Sequence, residues 1–233
     1  MNIKHLFYSF ILGLLANGAS AATISVKITN LTQGIYFTPL LVTSHGDTMH
    51  YYSLGDDASD ALQAMAEGGD FSGLVTQAAA MGGVNIENPA EGLLMPGTST
   101  LASDWDTGDN DHLSIVAMLL PTNDGFVGLD AWPIPAAAGS YTILLNGYDA
   151  GTEANNELVV DGGGAPGMLG IPANPGGNGG TGGVGVTTEE GNSRVHIHRG
   201  NLGDSSAVGG SSDIDSRVHR WLNPVAKVTV TVH

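Results

Sequence analysis

Nine consecutive residues, His112 to Leu120 (HLSIVAMLL), constrain this chain more than any other stretch. The run is almost continuously apolar and much too short to cross a bilayer as a helix. It reads as a central strand covered on both faces. Such a strand needs neighbours, and the sequence supplies them. Thr23 to Asn30 (TISVKITN) alternates, with Ile24, Val26 and Ile28 on one face. Ala226 to Val232 (AKVTVTV) alternates as cleanly and closes the chain. Tyr36 to Thr43 is β-rich, with Pro39 marking an edge or a bulge. Residues 97–102, 126–129, 141–146 and 195–198 are further strand candidates.

Two stretches break this pattern. Asp56 to Met65 and Phe71 to Met81 are rich in Ala, Leu, Gln and Met at near-helical spacing, which predicts two short helices. Asp70 or Ser72 opens the second, and Gly82 and Gly83 end it. Residues 161–185 are dominated by glycine and predict a flexible surface loop. Many strands, short turns and few helices predict a mainly β fold, an antiparallel β-sandwich with one or two short helices inserted.

The first 21 residues read as a secretory signal peptide rather than as part of the fold. Lys4 and His5 form a polar start, Phe7 to Leu15 an apolar stretch, and Ala19-Ser20-Ala21 a small-x-small cleavage site before Ala22. The domain then spans 22–233. The chain has no cysteine, so an exported form is held by its core, by metal, or by both. A formal charge of -16, from 23 acidic and 7 basic residues, repels nucleic-acid phosphate and anionic membrane surfaces. Divalent cations are its natural counterions. No second long apolar run predicts a membrane span.

Two segments carry the chemistry. Residues 121–132 read PTNDGFVGLDAW, and residues 148–153 read YDAGTE. Their order and spacing resemble the signature of the spondin N-terminal domain, as in F-spondin and mindin and in exported bacterial proteins. The segments ITNLTQGIYFTPLLV and VHIHRG resemble the bacterial members. The resemblance implies a β-sandwich similar to a C2 domain, with Ca²⁺ bound by acidic loop residues at one end. It also implies an extracellular or cell-surface ligand, protein or glycan. Carried over by position, the metal ligands are Asp124 and Asp149. The family's third ligand is a glutamate. This chain has instead an acidic cluster, Asp104, Asp106, Asp109 and Asp111, of which Asp106 falls nearest by spacing. Asp130 and Glu153 flank the two motifs and are candidates for support around the ligands.

The residues read by themselves leave two alternatives. Asp124 and Asp149 each follow a strand, and both reach one rim if those strands run the same way. Carboxylates brought together there repel unless a cation neutralises them. Asn-Asp-Gly and Asp-Ala-Gly are equally good turn sequences. His196 and His198 stand two apart in a predicted strand and share a face, so with His219 they are a zinc candidate as well as an ordinary polar pair. A metal-dependent hydrolase of polysaccharide or phosphoester is the alternative function. The chain lacks a cysteine nucleophile and a Gly-x-Ser-x-Gly element. GGNGGTGGVG (176–185) lacks the Lys-Ser or Lys-Thr of a phosphate loop. Trp105, Trp132 and Trp221 are read as packing residues rather than a sugar platform.

Overall fold

The computed structural model describes residues 22–177, 179–189 and 191–233. The expected signal peptide, 1–21, lies outside the described residues. The strands are β1 (Thr23–Asn30), β2 (Tyr36–Phe37), β3 (Leu41–His45), β4 (Val84–Glu87), β5 (Ser99–Asp106), β6 (His112–Leu120), β7 (Gly125–Pro133), β8 (Gly139–Asp149), β9 (His196–Ile197) and β10 (Ala226–Val232). The helices are α1 (Asp60–Gly68) and α2 (Ser72–Ala80). No helix among the described residues is long and apolar enough to cross a membrane.

The fold is mainly β and antiparallel, as expected. In place of two separately paired sheets, the strands form one path, β4-β3-β6-β7-β8-β10-β1-β5, bent into a nearly closed, barrel-like shape. The bend centres on β8. Its first part, Gly139 to Leu145, pairs with β10, and its last part, Asn146 to Asp149, pairs with β7. A strand that changes partner midway turns a corner, and the register shifts between Ile24 and Val26 and between Leu113 and Ile115 add curvature.

β6 is buried from Leu113 to Leu120. Leu113, Ile115, Ala117 and Leu119 face the main core, with Val26 and Ile28 of β1 and Val228 and Val230 of β10. Val116 points the other way, into a second cluster with Leu62, Met65, Leu74 and Phe126. That second cluster is why the helices exist. Leu62, Met65 and Ala66 make one face of α1, spaced three and four residues apart. Ser59 caps α1 by accepting from the Leu62 N–H at 3.1 Å, and Gly69 ends it in the left-handed conformation. The start of α2 lacks a side-chain cap of its own, but Asp70 accepts from the Ser72 N–H at 2.9 Å.

Among its described residues the glycine-rich segment has no helix or strand, as expected. It is not a free loop, however, because distant carboxylates tie it down. Asp213 accepts from the backbone N–H groups of Val159, Thr181 and Gly183 at 2.8, 2.8 and 2.9 Å. Ile171 is buried, and its N–H donates to the Leu158 carbonyl at 2.8 Å. Glycine permits this packing: a Cβ on Gly163 would stand 2.4 Å from the Gly170 carbonyl oxygen. Asp213→Ala should therefore destabilise the fold by about 2 kcal/mol, since three donors lose a charged acceptor. Asp161→Asn, at an exposed position in the same segment, should leave a urea melt unchanged.

Candidate functional site

Topology brings two of the three expected ligands together. β6 and β8 run the same way, with β7 antiparallel between them. The turn after β6 and the end of β8 therefore share one rim. Gly125 pairs with Asp149, so Asp124 stands one residue before the partner of Asp149, and the Ala150 N–H donates to the Asp124 carbonyl at 3.2 Å. Asp106 is not part of this group. It pairs with Thr23 at the start of β1, whereas the rim lies near Asn30 at the other end of that strand. Its carboxylate accepts instead from the Gly108 N–H at 2.9 Å, capping its own turn. Spacing along the chain gave no sign of which end of the sheet it would reach.

The glycines of the two motifs have structural reasons. A Cβ on Gly128 would lie 2.5 Å from the Tyr52 hydroxyl, so the bare backbone admits Tyr52 to a cluster with Phe126 and Tyr148. Gly151 has φ +70, and a Cβ there would meet the backbone of Ser193 and Arg194.

Asp124 is wholly buried. Its Oδ2 accepts from the Thr152 N–H at 2.9 Å, the Glu153 N–H at 3.2 Å and the Thr152 hydroxyl at 3.3 Å. Its Oδ1 is buried and has no hydrogen-bond partner. Burial first, and the adjacent Asp149 second, push the Asp124 carboxyl well above the usual carboxylate range. Asp149 accepts from the Gly151 N–H at 2.9 Å and the Asn155 amide at 2.6 Å. Glu153 is buried behind Asp124 and accepts from the Asn123 amide at 2.7 Å and from the Gly170 N–H. Its other oxygen is unpartnered, and burial raises its carboxyl too. Asp130 sits elsewhere, accepting from the Tyr51 N–H at 2.7 Å and facing His50 at 2.6 Å.

The histidine pair does share a face, and that face meets Asp149. His196 Nδ1 and His198 Nε2 each stand 3.8 Å from one of its carboxylate oxygens. His198 has no nitrogen to spare for a metal. Its Nδ1 accepts from the Gly200 N–H at 2.9 Å, so Nε2 carries the proton and donates to Asn155 Oδ1 at 3.1 Å. Asn155 thus links His198 to Asp149. His219 lines a different pocket, with Asp213 and Asp215. No group of three or more His, Cys, Asp or Glu suited to a metal occurs among the described residues. A pocket of about 270 Å³ opens beside the rim, lined by Asp149, Asn155, Glu189, His196 and Arg199 among others, but not by Asp124. The sequence alone did not single out Asn155, and it offered His198 as a zinc candidate rather than as a donor to Asn155.

Burial lowers the His198 imidazole to about 3, with Arg199 and His196 adding to the effect. A base held neutral in the fold but free to charge when unfolded stabilises the fold above its ordinary value of 6.5. That stability is lost as pH falls through the interval down to about 3. In chelator, lowering the pH from about 7 to about 5 should cost roughly 2 kcal/mol through this group alone. Urea melts of His198→Gln at the two pH values should show a drop smaller by that amount than in the unsubstituted chain.

No curated protein matches the sequence. The Spondin_N family model matches residues 29–157, from the end of β1 through both motifs to just beyond Asn155. That is over half of the chain and contains Asp124, Asp149 and their hydrogen-bond partners Gly151, Thr152, Glu153 and Asn155, while Gly170, His196 and His198 lie beyond it. With both motifs converging on one rim, the chain belongs to the spondin N-terminal domain family.

Proposed function

We propose that this chain is a calcium-stabilised binding module of an exported protein, without catalytic activity. The observation that carries the reading is the buried, unpartnered Asp124 Oδ1 beside a second buried carboxylate. Two carboxylates this close cannot both ionise cheaply in a low-dielectric site. A cation removes that conflict. The donors present are carboxylate and backbone oxygens, which suit a hard ion that takes six to eight oxygen ligands in irregular geometry. Asp124 and Asp149 would hold the ion, with carbonyls and water completing its shell. Bound there, calcium supplies charge neutralisation and a crosslink between the turn after β6 and the end of β8. The role of Asp106 as third ligand is dropped on the strand register.

The hydrolase alternative finds nothing to favour it. Asp124 is sealed from the neighbouring pocket, so a substrate entering there meets Asp149 alone of the two. Domains of this family are typically extracellular, which agrees with the expected signal peptide.

Calcium should raise the melting temperature, chelator should lower it, and added calcium should restore it. The stabilisation is about 2.7 kcal/mol at a hundredfold excess over Kd. Asp124→Asn and Asp149→Asn should each abolish the response, and Asp106→Asn should not. Magnesium should substitute poorly, because it demands tighter octahedral geometry. Melting curves that chelator leaves unmoved would reduce the rim to a pair of turns. In chelator at neutral pH, Asp124→Asn should be at least as stable as the parent chain, since it removes the group that burial penalises.

A further inference from the structure

With 23 acidic residues against 7 basic ones, an arginine in this chain has many carboxylates to choose from. All four arginines fall between residues 194 and 220. Arg217 is held by Asp215, with Nε at 3.0 Å and Nη2 at 2.7 Å, and Arg194 Nη1 stands 3.7 Å from Asp57. Arg199 and Arg220 have no carboxylate at salt-bridge distance among the described residues. Arg199 donates to the Asn155 carbonyl at 3.2 Å, and no hydrogen bond to the Arg220 side chain occurs among the described residues. These two arginines line one cavity.

That cavity has a volume of about 390 Å³ and is lined by Arg199, Asn201, Arg220, Trp221 and Leu222. Its wall is firm, because the buried Asn201 amide donates to the Pro121 carbonyl at 2.7 Å. Trp221 is packed on His198, with ring centres 5.0 Å apart, and only 7% of it is exposed. The rim is different: Leu222 is 82% exposed. A pair of cationic forks beside an exposed leucine is an unusual thing to leave bare on a strongly acidic chain.

We propose that this cavity recognises an acidic segment of a partner protein. One carboxylate is taken by Arg199 and Arg220, and an apolar side chain of the same segment covers Leu222. A guanidinium presents donors in a fixed fork that matches a carboxylate. Charge complementarity selects such a partner against the acidic background of the chain itself. An anionic glycan fits less well. The tryptophan is buried and offers no face for a sugar ring, and sugar hydroxyls would leave Leu222 uncovered. The proposal rests on reading the chain as a binding module but not on calcium, since neither Asp124 nor Asp149 lines the cavity.

The test is fluorescence anisotropy of the full chain with a labelled peptide of alternating Glu and Leu. Controls are the same peptide with Gln for Glu, and polygalacturonate as an anionic glycan. The Glu-Leu peptide should bind, and the Gln-Leu peptide should bind at least about tenfold more weakly. Arg199→Gln and Arg220→Gln should each weaken binding by a similar factor, while Arg194→Gln should not. Arg220 is exposed, so Arg220→Gln should melt as the parent does. Equal binding of the two peptides, insensitivity to Arg220→Gln, or binding of polygalacturonate in place of the peptide would overturn the proposal. Running each titration in calcium and in chelator keeps the two claims apart. Peptide binding that survives chelator stands even where calcium fails to bind, and a failed peptide leaves the calcium result intact.

Discussion

Two carboxylates share one buried rim, and much of the surrounding structure is arranged to tolerate them. Asp124 receives two backbone N–H groups and a hydroxyl from the 152–153 turn. Asp149 receives the Gly151 N–H and the Asn155 amide. Asn155 in turn accepts from His198, whose ring lies on Trp221. Each donor offsets part of the cost of burying charge, yet Asp124 Oδ1 is left without one. Burial and the neighbouring Asp149 push the Asp124 carboxyl upward, which favours its uncharged form. The proposed ion would relieve the same conflict by neutralising charge.

The same device recurs away from the rim, where carboxylates act as hubs for backbone that has no ladder to join. Glu157 accepts from the N–H groups of Leu202 and Gly203 and from the Ser212 hydroxyl. Asp213 gathers three N–H groups from the glycine-rich segment and its approach. Glu153 joins that segment to the rim, since it accepts from Gly170 while its own N–H donates to Asp124. A chain without disulfides can hold long irregular segments in this way. Part of its acidity is therefore structural rather than a means of staying soluble.

The regular framework was legible because its signals are local. β6 and β10 occupy the residues expected from their apolar patterns, and Pro39 falls between β2 and β3. β4 was missed because VNIE is a half-exposed edge strand between glycine and proline turns, without a clear alternation. The closure of the sheet was not legible, for it depends on β8 changing partner midway. Of the site, Asp124 and Asp149 came from motif order. Asp106 did not join them, because sequence spacing does not say to which end of a strand a residue is carried. The anchoring of the glycine-rich segment by Asp213 was equally hidden, since the partners lie 30 to 54 residues apart.

Titration calorimetry of Ca²⁺ into the full chain at neutral pH, repeated in buffers of different ionisation enthalpy, tests the central claim most directly. Burial and the adjacent Asp149 push the Asp124 carboxyl upward, so ion binding there is linked to proton release. The account predicts one ion per chain, with proton release that disappears together with binding in Asp124→Asn. Absence of binding heat, or undiminished binding by Asp124→Asn, would contradict it.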